Sequence, residues 1–575
     1  MTATLDSRQA GARWPTAPDG LNAYEIDTNL QVFLQRSRAT LDQTMLSSFG
    51  GWVAGALETQ ARYSDRFAPP VAVDVLAEPG VPGPRAKRIV FNPAYLDAQR
   101  DIYQRGIIGL AYAGQTPNHM ASFILGYLTS KSDISTHCPV TLTGAVAYVL
   151  HHHASKDVRE TYLPQLTRMD GLAKTGATWV TEKHSGTNAG ATTCIARQKA
   201  DGNFSISGEK WFASNADSNL ALALARPEGA PLGNKGAGLY LIPDRIDGKP
   251  NSQKITALKD KLGTRGLATV ELDLNDCHAI EIAPPPHGLK VMMEALEYSR
   301  VHNAMSAAGI SHRILVEAMC FADNRAPFGK LLSDEPMIRQ ELIDMTAEWM
   351  ASSALAFQAA LAFGKADDPY WGRMMTAMAK WRTAESAVQS ANNLVELIGG
   401  IAYTTDMQAE RLLRDAKVLQ VWEGPKQVQG RGLARVIVAD KNDTLNSRLQ
   451  DLCDALPACA ADLRRAISRE LRDLRHNIRV LKAAPETEDQ IAVALLRQAS
   501  DITALTLLAD EAAWEFEQRG DDRKLLVARH FHEKQFGERH LLQIAPGALQ
   551  TRFNALAGMP TPLSRHVPPV PGLTP

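Results

Sequence analysis

Between Asn22 and about Leu166, apolar residues return every three or four positions. VFLQRSRATLDQTMLSSFGGWVAGALETQARY and MASFILGYLTSK show it best, and this spacing predicts amphipathic helices. AEPGVPGPRA breaks the run and reads as a loop between helices. At about Gly171 the texture changes. TGATWVTEK, GNFSISGEKWFASN, ALALARPEG, GAGLYLIPDR and ATVELDLNDC are short β-branched or alternating runs separated by Gly, Asn and Asp. They predict a compact β domain that ends at the prolines 284–286. Helical spacing returns near Gly288 and continues to about Val438; after KNDTLN it resumes from about Ser447 to Ile544. The first twenty residues read as a loose polar arm, and GMPTPLSRHVPPVPGLTP as an extended proline-rich tail.

The expected layout is therefore an arm (1–21), an N-terminal α-helical domain (22–170), a central β domain (171–286), a C-terminal helical bundle (287–440), an additional helical domain (441–545) and the tail (546–575). This is an α+β multidomain chain.

Length and composition narrow the picture. A chain of 575 residues is long enough for three or four domains. Its 45% apolar and 22% charged residues are ordinary for a soluble globular protein. A net charge of −1 supplies no whole-chain field toward nucleic acid or membrane. The N-terminus lacks the apolar core of a signal peptide, no apolar run approaches membrane-spanning length, and the six cysteines are sparse. The expectation is a cytoplasmic protein with reduced, mostly buried thiols. His151, His152 and His153 do not make a metal site, because consecutive helical side chains point about 100° apart.

Five segments, in order, carry the chemistry. WVTEKHSGTNAG opens the β domain; GEKWFASNA follows; NRAPFGKLL, ELIGGIAYTTDMQAERLLRDAK and VLQVWEGPKQVQ lie in the helical region. Together they resemble the acyl-CoA dehydrogenase superfamily, whose fold is an N-terminal helical domain, a central β-barrel or sandwich and a C-terminal four-helix bundle. The resemblance implies FAD. Backbone groups at Val180 and Thr181 would meet the flavin, Phe212 would pack on it, and the Ser214 hydroxyl would reach N5. Arg325 would pair with the pyrophosphate and Phe328 pack on the cofactor, commonly from a neighbouring subunit. Gly399 and Gly400 would approach the ADP portion, with Glu396 where many relatives carry Gln, and Gln427 would complete the set. Gly186, Thr187, Arg300, Trp422 and Gly424 would contact an acyl thioester. Glu423 aligns with the catalytic base, and a carboxylate taking an α-proton needs a desolvated pocket that raises its pKa. Some relatives carry the base just before an arginine on an earlier helix; here Ser299 precedes Arg300 and cannot serve. Asn188, Pro336 and Pro425 depart from the family pattern.

HCPVTLT, KRIVFNPAY, TEK, GEKWF, ALKDKLG and VWEG together resemble AidB-type members, which carry an additional C-terminal helical region. The implied reaction is α,β-dehydrogenation of an acyl group on CoA or a carrier protein, with electrons passing to an electron-transfer flavoprotein or oxygen. A dimer or tetramer is implied, because part of the cofactor site comes from a neighbour. A flavin-dependent monooxygenase is an alternative, which the retained Glu423 disfavours. AidB-type proteins instead bind double-stranded DNA in the response to alkylation damage, with little dehydrogenase activity. ADLRRAISRELRDLRHNIRVLK places Arg465, Arg469, Arg472, His476 and Arg479 on one helical stripe, the pattern phosphate binding needs. Glu486, Glu488, Asp489, Asp510, Glu511, Asp521 and Asp522 follow and offset it, so DNA is the less favoured reading.

Overall fold

The computed structural model describes residues 20–39, 41–74, 87–327, 329–365, 368–537 and 553. Helices α1 (Thr28–Ser37), α2 (Gln43–Trp52), α3 (Glu58–Arg66), α4 (Pro93–Gln104), α5 (Met120–Thr129), α6 (Ile134–His153) and α7 (Lys156–Leu166) form the N-terminal part. Their starts are specified locally. Asp27 accepts from the Leu30 amide at 2.8 Å, Asn92 from Tyr95 at 2.8 Å ahead of Pro93, and Asp133 from Ser135 at 2.7 Å. Each satisfies one of the amides that a helix start leaves unpaired.

The β region holds β3 (Gly176–Trp179), β4 (Ile195–Gln198), β5 (Phe204–Ser214), β6 (Leu220–Pro227), β7 (Gly238–Pro243), β8 (Arg245–Ile246), β9 (Lys249–Pro250), β10 (Gln253–Leu258) and β11 (Thr269–Ala283). Strands β11, β5, β4, β6 and β7 pair in a closed ring, with β3 parallel beside β6. Inside lie Trp179, Ile206, Ala223, Tyr240 and Leu272, the inward set of an alternating pattern. One feature corrects the sequence reading. The N-terminal stretch is not purely helical: β1 (Val71–Asp74) and β2 (Lys87–Val90) pair antiparallel, and β2 joins β10 at the edge of the sheet. VAVD and KRIV carry the β-branched residues that suit such an edge. The expected AEPGVPGPRA loop lies outside the described residues.

Beyond the barrel, α8 (Gly288–Asn324), α9 (Pro336–Ala362) and α10 (Pro369–Ile398) are long and buried on most faces. Next come α11 (Ala409–Val421), α12 (Lys426–Ala439), α13 (Thr444–Asp454), α14 (Ala461–Ala483), α15 (Glu488–Arg519) and α16 (Arg523–Phe536). The last helices are fixed to the bundle by buried ions: Arg382 of α10 donates to Glu348 of α9 at 2.6 Å and to Asp501 of α15 at 2.7 Å. By length and composition the stretch Pro485–Arg519 is apolar enough to cross a membrane, contrary to the sequence reading, but about 67% of its most apolar stretch is buried inside the chain. It is a core helix, its Ala and Leu residues packed against the bundle. Five described cysteines are buried and Cys459 is half-buried, all as free thiols.

Candidate active site

The expected base sits in an unusual turn. Helix α11 ends at Val421, and α12 begins at Lys426; between them Glu423 has φ +58° and Gly424 φ +98°. A side-chain-bearing residue in the left-handed region costs roughly 1–2 kcal/mol, so the turn persists only because its surroundings hold it. They do so through carbonyls. Arg300 Nε of α8 donates to Glu423 O at 3.0 Å, and Gln429 Nε2 donates to Glu423 O and Gly424 O at 3.0 Å each. Lys380 Nζ of α10 donates to Gly424 O at 2.8 Å and Gln420 O at 3.4 Å.

With the backbone so fixed, the side chain stands apart. Glu423 Oε2 is buried and has no hydrogen-bond partner among the described residues. Burial raises its pKa, while Arg300 and then Lys380 oppose the rise. A buried carboxylate oxygen without a partner normally costs free energy. Next to it the Trp422 indole donates to Asn303 and packs with Cys138, Leu142 and Leu267.

A second group of expected residues lies on the barrel. Thr181 O accepts from the Trp211 amide at 2.9 Å, which ties the end of β3 to β5. A bulge in β5 (Lys210 opposite Leu272, Ala213 opposite Val270) turns Lys210 and Ala213 inward and leaves the Phe212 ring 56% exposed. Lys259 Nζ stands 3.3 Å from the centroid of the Trp211 ring. Ser214 Oγ and Thr269 Oγ1 are 2.9 Å apart. Lys261 Nζ reaches Leu267 O at 2.6 Å and Thr269 Oγ1 at 3.2 Å, and burial lowers its pKa to about 8. The Thr264 amide donates to Asp415 of α11 at 2.6 Å. Residues 261–269 therefore join the Ser214 face of the barrel to α11 and Trp422.

The structure thus brings Glu423, Arg300, Trp422 and Gly424 into one set, and Val180, Thr181, Phe212 and Ser214 into an adjoining one. Gly186 and Thr187 lie in the exposed loop beyond β3, where a Cβ on Gly186 would meet nothing within 4 Å. Arg325 is exposed just past the end of α8, Glu396 is exposed near the end of α10, and Gly399 and Gly400 are exposed with open space above them. Gln427 is exposed at the start of α12. These last residues form an outer set that the single chain does not bring to the base turn. Phe328 lies outside the described residues.

Two residues that sequence reasoning passed over hold the barrel face together. Glu182, just after Thr181, accepts from Lys210 Nζ at 2.8 Å, from the Thr193 amide at 2.7 Å and from the Thr192 hydroxyl. Lys210 also donates to Leu224 O at 2.9 Å. Burial would raise the Glu182 carboxyl, but Lys210 and the hydrogen bonds outweigh it and hold it at about 2. The TEK and GEK triplets contain this pair, yet only the fold places them side by side.

The residues present fit FAD. An exposed ring (Phe212), adjoining hydroxyls (Ser214 and Thr269) and a carboxyl with one unpartnered oxygen (Glu423) offer an aromatic and polar face to a planar ring. Gly399 and Gly400 leave open backbone for an approaching phosphate or adenine group. The histidine run engages three different neighbours: His151 tilts against Tyr112, His152 against Tyr148, and His153 meets Glu294 at 2.7 Å.

The AidB N-terminal domain model matches residues 15–170, the acyl-CoA dehydrogenase middle domain 177–277, and the acyl-CoA dehydrogenase C-terminal domain 286–438. Acyl-CoA dehydrogenase family member 11 of Caenorhabditis elegans is 27% identical over 74% of this chain and 72% of its own length. The putative acyl-CoA dehydrogenase AidB of Escherichia coli is 25% identical over 74% of this chain and 79% of its own. The structure of Caenorhabditis elegans ACDH-11 in complex with C11-CoA superposes with a TM-score of 0.81 at 24% identity, covering 89% of this chain and 91% of that one. With three consecutive domain models covering most of its length, the chain belongs to the acyl-CoA dehydrogenase superfamily, in its AidB-like branch.

Proposed function

We propose that the chain is an FAD-dependent acyl-CoA dehydrogenase in which Glu423 removes the substrate α-proton. The observation that carries this reading is the buried, unpartnered Oε2 of Glu423, in a left-handed turn that three side chains hold. A carboxyl raised by burial holds its proton more tightly than an exposed one, which strengthens it as an acceptor from a weakly acidic carbon. Arg300 and Lys380 keep the ionised form accessible. Trp422, Cys138, Leu142 and Leu267 exclude water, so the carboxylate meets the α-carbon rather than solvent. FAD, when bound, supplies the hydride acceptor. The backbone at Val180 and Thr181, the Phe212 ring and the Ser214 hydroxyl would hold its ring system. Gly186 and Thr187 sit in a loop open enough to receive a thioester's phosphate end.

Arg325, Phe328, Glu396, Gly399, Gly400 and Gln427 would serve the distal part of the cofactor. The exposure of the described ones in a single chain supports a homodimer or homotetramer that covers them. The likeness to relatives named acyl-CoA dehydrogenases, at 27% and 29% identity, supports an acyl-CoA as substrate. An electron-transfer flavoprotein or oxygen would take the electrons, and the setting would be the cytoplasm. The test is an anaerobic titration of the purified flavoprotein with acyl-CoA thioesters of graded length, following the oxidised flavin band. Bleaching by a member of the series is expected; a yellow protein that none bleaches overturns the dehydrogenase reading.

A second reading has its own observation. Arg465, Arg469, Arg472, His476 and Arg479 all lie exposed on α14, while Leu463, Ile467, Leu471, Leu474, Ile478 and Leu481 are buried on its other face. That stripe could meet the phosphates of duplex DNA, although Asp473 lies exposed on the same helix and Glu470 pairs with Arg469 at 3.2 Å. Replacing Arg465, Arg469 and Arg472 with Ala should weaken duplex binding in anisotropy titrations and flatten its salt dependence. Unchanged binding would remove the stripe from any DNA role.

A further inference from the structure

The turn that carries Glu423 is bound by side chains from three helices, two of them cations. Arg300 belongs to α8 and acts on the carbonyl of Glu423 itself. Gln429, in the first turns of α12, spans the carbonyls of Glu423 and Gly424. Lys380 comes from the middle of α10, is 1% exposed, and reaches the carbonyls of Gln420 and Gly424, which bracket the base. A lysine buried for ion pairing meets a carboxylate within bonding distance, as Lys210 meets Glu182 at 2.8 Å. The hydrogen bonds of Lys380 go instead to backbone oxygens, at the end of a helix where carbonyls converge and a cation is favoured.

We propose that Lys380 is a positioning residue for the base: it fixes the left-handed Glu423–Gly424 turn through Gly424 O and sets its charge beside the carboxyl that the turn carries. The inference rests on Glu423 being the base.

The surroundings are consistent with a coupled pair. Burial brings Lys380 down to about 7, with Glu423 opposing the shift and Arg300 adding to it. Around α10, Glu348 of α9 and Asp501 of α15 are engaged by Arg382, and Lys417 of α11 donates to Gln420 Oε1 at 2.6 Å. On α8, Glu297 acts on Arg300 together with Arg373 of α10 itself. Glu423 is thus the carboxylate that acts on Lys380. The sign follows. Protonated Lys380 lowers the Glu423 pKa, so its removal moves the Glu423 titration to higher pH.

The experiment compares Lys380→Met, Lys380→Gln and Lys380→Arg with Glu423→Gln. In thioester-free protein, infrared difference spectra follow the protonated-carboxyl band of Glu423, assigned by its loss in Glu423→Gln. In parallel, the rate of flavin reduction is measured against pH. For Lys380→Met, the band should persist to higher pH and the acid limb of the rate profile should move with it, by about one unit, a loss of about tenfold near the limb. KM should move far less than kcat. Lys380→Gln keeps a donor for Gly424 O without the charge, so it should shift both titrations while preserving the fold; it decides the question if the Met variant fails to fold. Lys380→Arg should restore the wild-type limb. An unshifted band and limb in folded Met or Gln variants overturns the role of Lys380. Flavin reduction surviving in Glu423→Gln overturns the base assignment instead, whatever the Lys380 variants do.

Discussion

Replacing Gly424 with Ala probes how tightly the Glu423–Gly424 turn is specified. At φ +98° a residue with a Cβ is strained by about 1–3 kcal/mol. The new Cβ would also stand 2.8 Å from Val428 Cγ1, closer than real side chains come, and 3.1 Å from Gln429 Nε2, tighter than most. Relief requires moving the turn, or Val428 and Gln429 together, and Gln429 makes two hydrogen bonds to this turn, each contributing about 0.5–1.5 kcal/mol. The local cost is then about 2–6 kcal/mol, expressed chiefly as displacement of Glu423. A carboxyl displaced by about 1 Å loses on the order of 100-fold in rate. Gly432 on α12 is the internal control: it is exposed, helical, and a Cβ there meets nothing within 4 Å. Ala at 432 should stabilise by up to about 1 kcal/mol through helix propensity. Anaerobic stopped-flow of flavin reduction and urea unfolding, run on both variants, read the two effects. Equal rates for wild type and Gly424→Ala would refute the claim that the left-handed turn aims the base.

Two further substitutions test the scaffold. Lys210→Met strands Glu182 inside the barrel, where breaking a buried pair costs about 3–5 kcal/mol, and it should lower both the urea midpoint and FAD retention after gel filtration. Because the Glu182 carboxyl is held at about 2 in the folded chain, the pair's contribution is complete above the unfolded carboxylate pKa and is lost as pH falls toward 2. Acid unfolding of the variant should therefore begin from a lower plateau with a shallower pH dependence; a curve parallel to wild type would contradict it. Glu58→Gln removes the anion between Arg313, at 2.8 Å, and Arg411, at 3.1 Å, where α3, α8 and α11 meet. Burial would raise this carboxyl, but the guanidiniums hold it well below the usual range, so the variant should unfold at clearly lower urea at pH 7 and approach wild type in acid. No loss at pH 7 would show the network to be dispensable.

What could be read in the sequence follows from how local each signal is. The order of helical, strand and helical regions was legible because periods of 3.6 and 2 repeat over long stretches. The β1–β2 hairpin was not, since four-residue strands within a helical region acquire meaning only from β10, far along the chain. Glu423, Trp422 and Gly424 were legible as one contiguous segment, and Arg300 through its neighbour Ser299. Lys380 was hidden, because a lysine in MAKWRTAE looks like a solvated helix position until α8 and α12 close over it. Glu182 and Lys210 were present inside quoted motifs, but their partnership depends on a bulge and a strand pairing that no spacing announces. The long apolar helix α15 shows the converse, a composition that fits a membrane span and a fold that buries it against other helices.

The central claim is that the Glu423 carboxylate takes the α-proton. Its most direct test is deuterium incorporation at the α-carbon of an acyl-CoA that the flavoprotein accepts, measured in D2O by mass spectrometry for wild type and Glu423→Gln. The account predicts exchange and flavin bleaching by wild type, with neither in a Gln variant that still binds FAD and thioester. Exchange at the wild-type rate in Glu423→Gln would contradict it and send the search for the base elsewhere in the pocket.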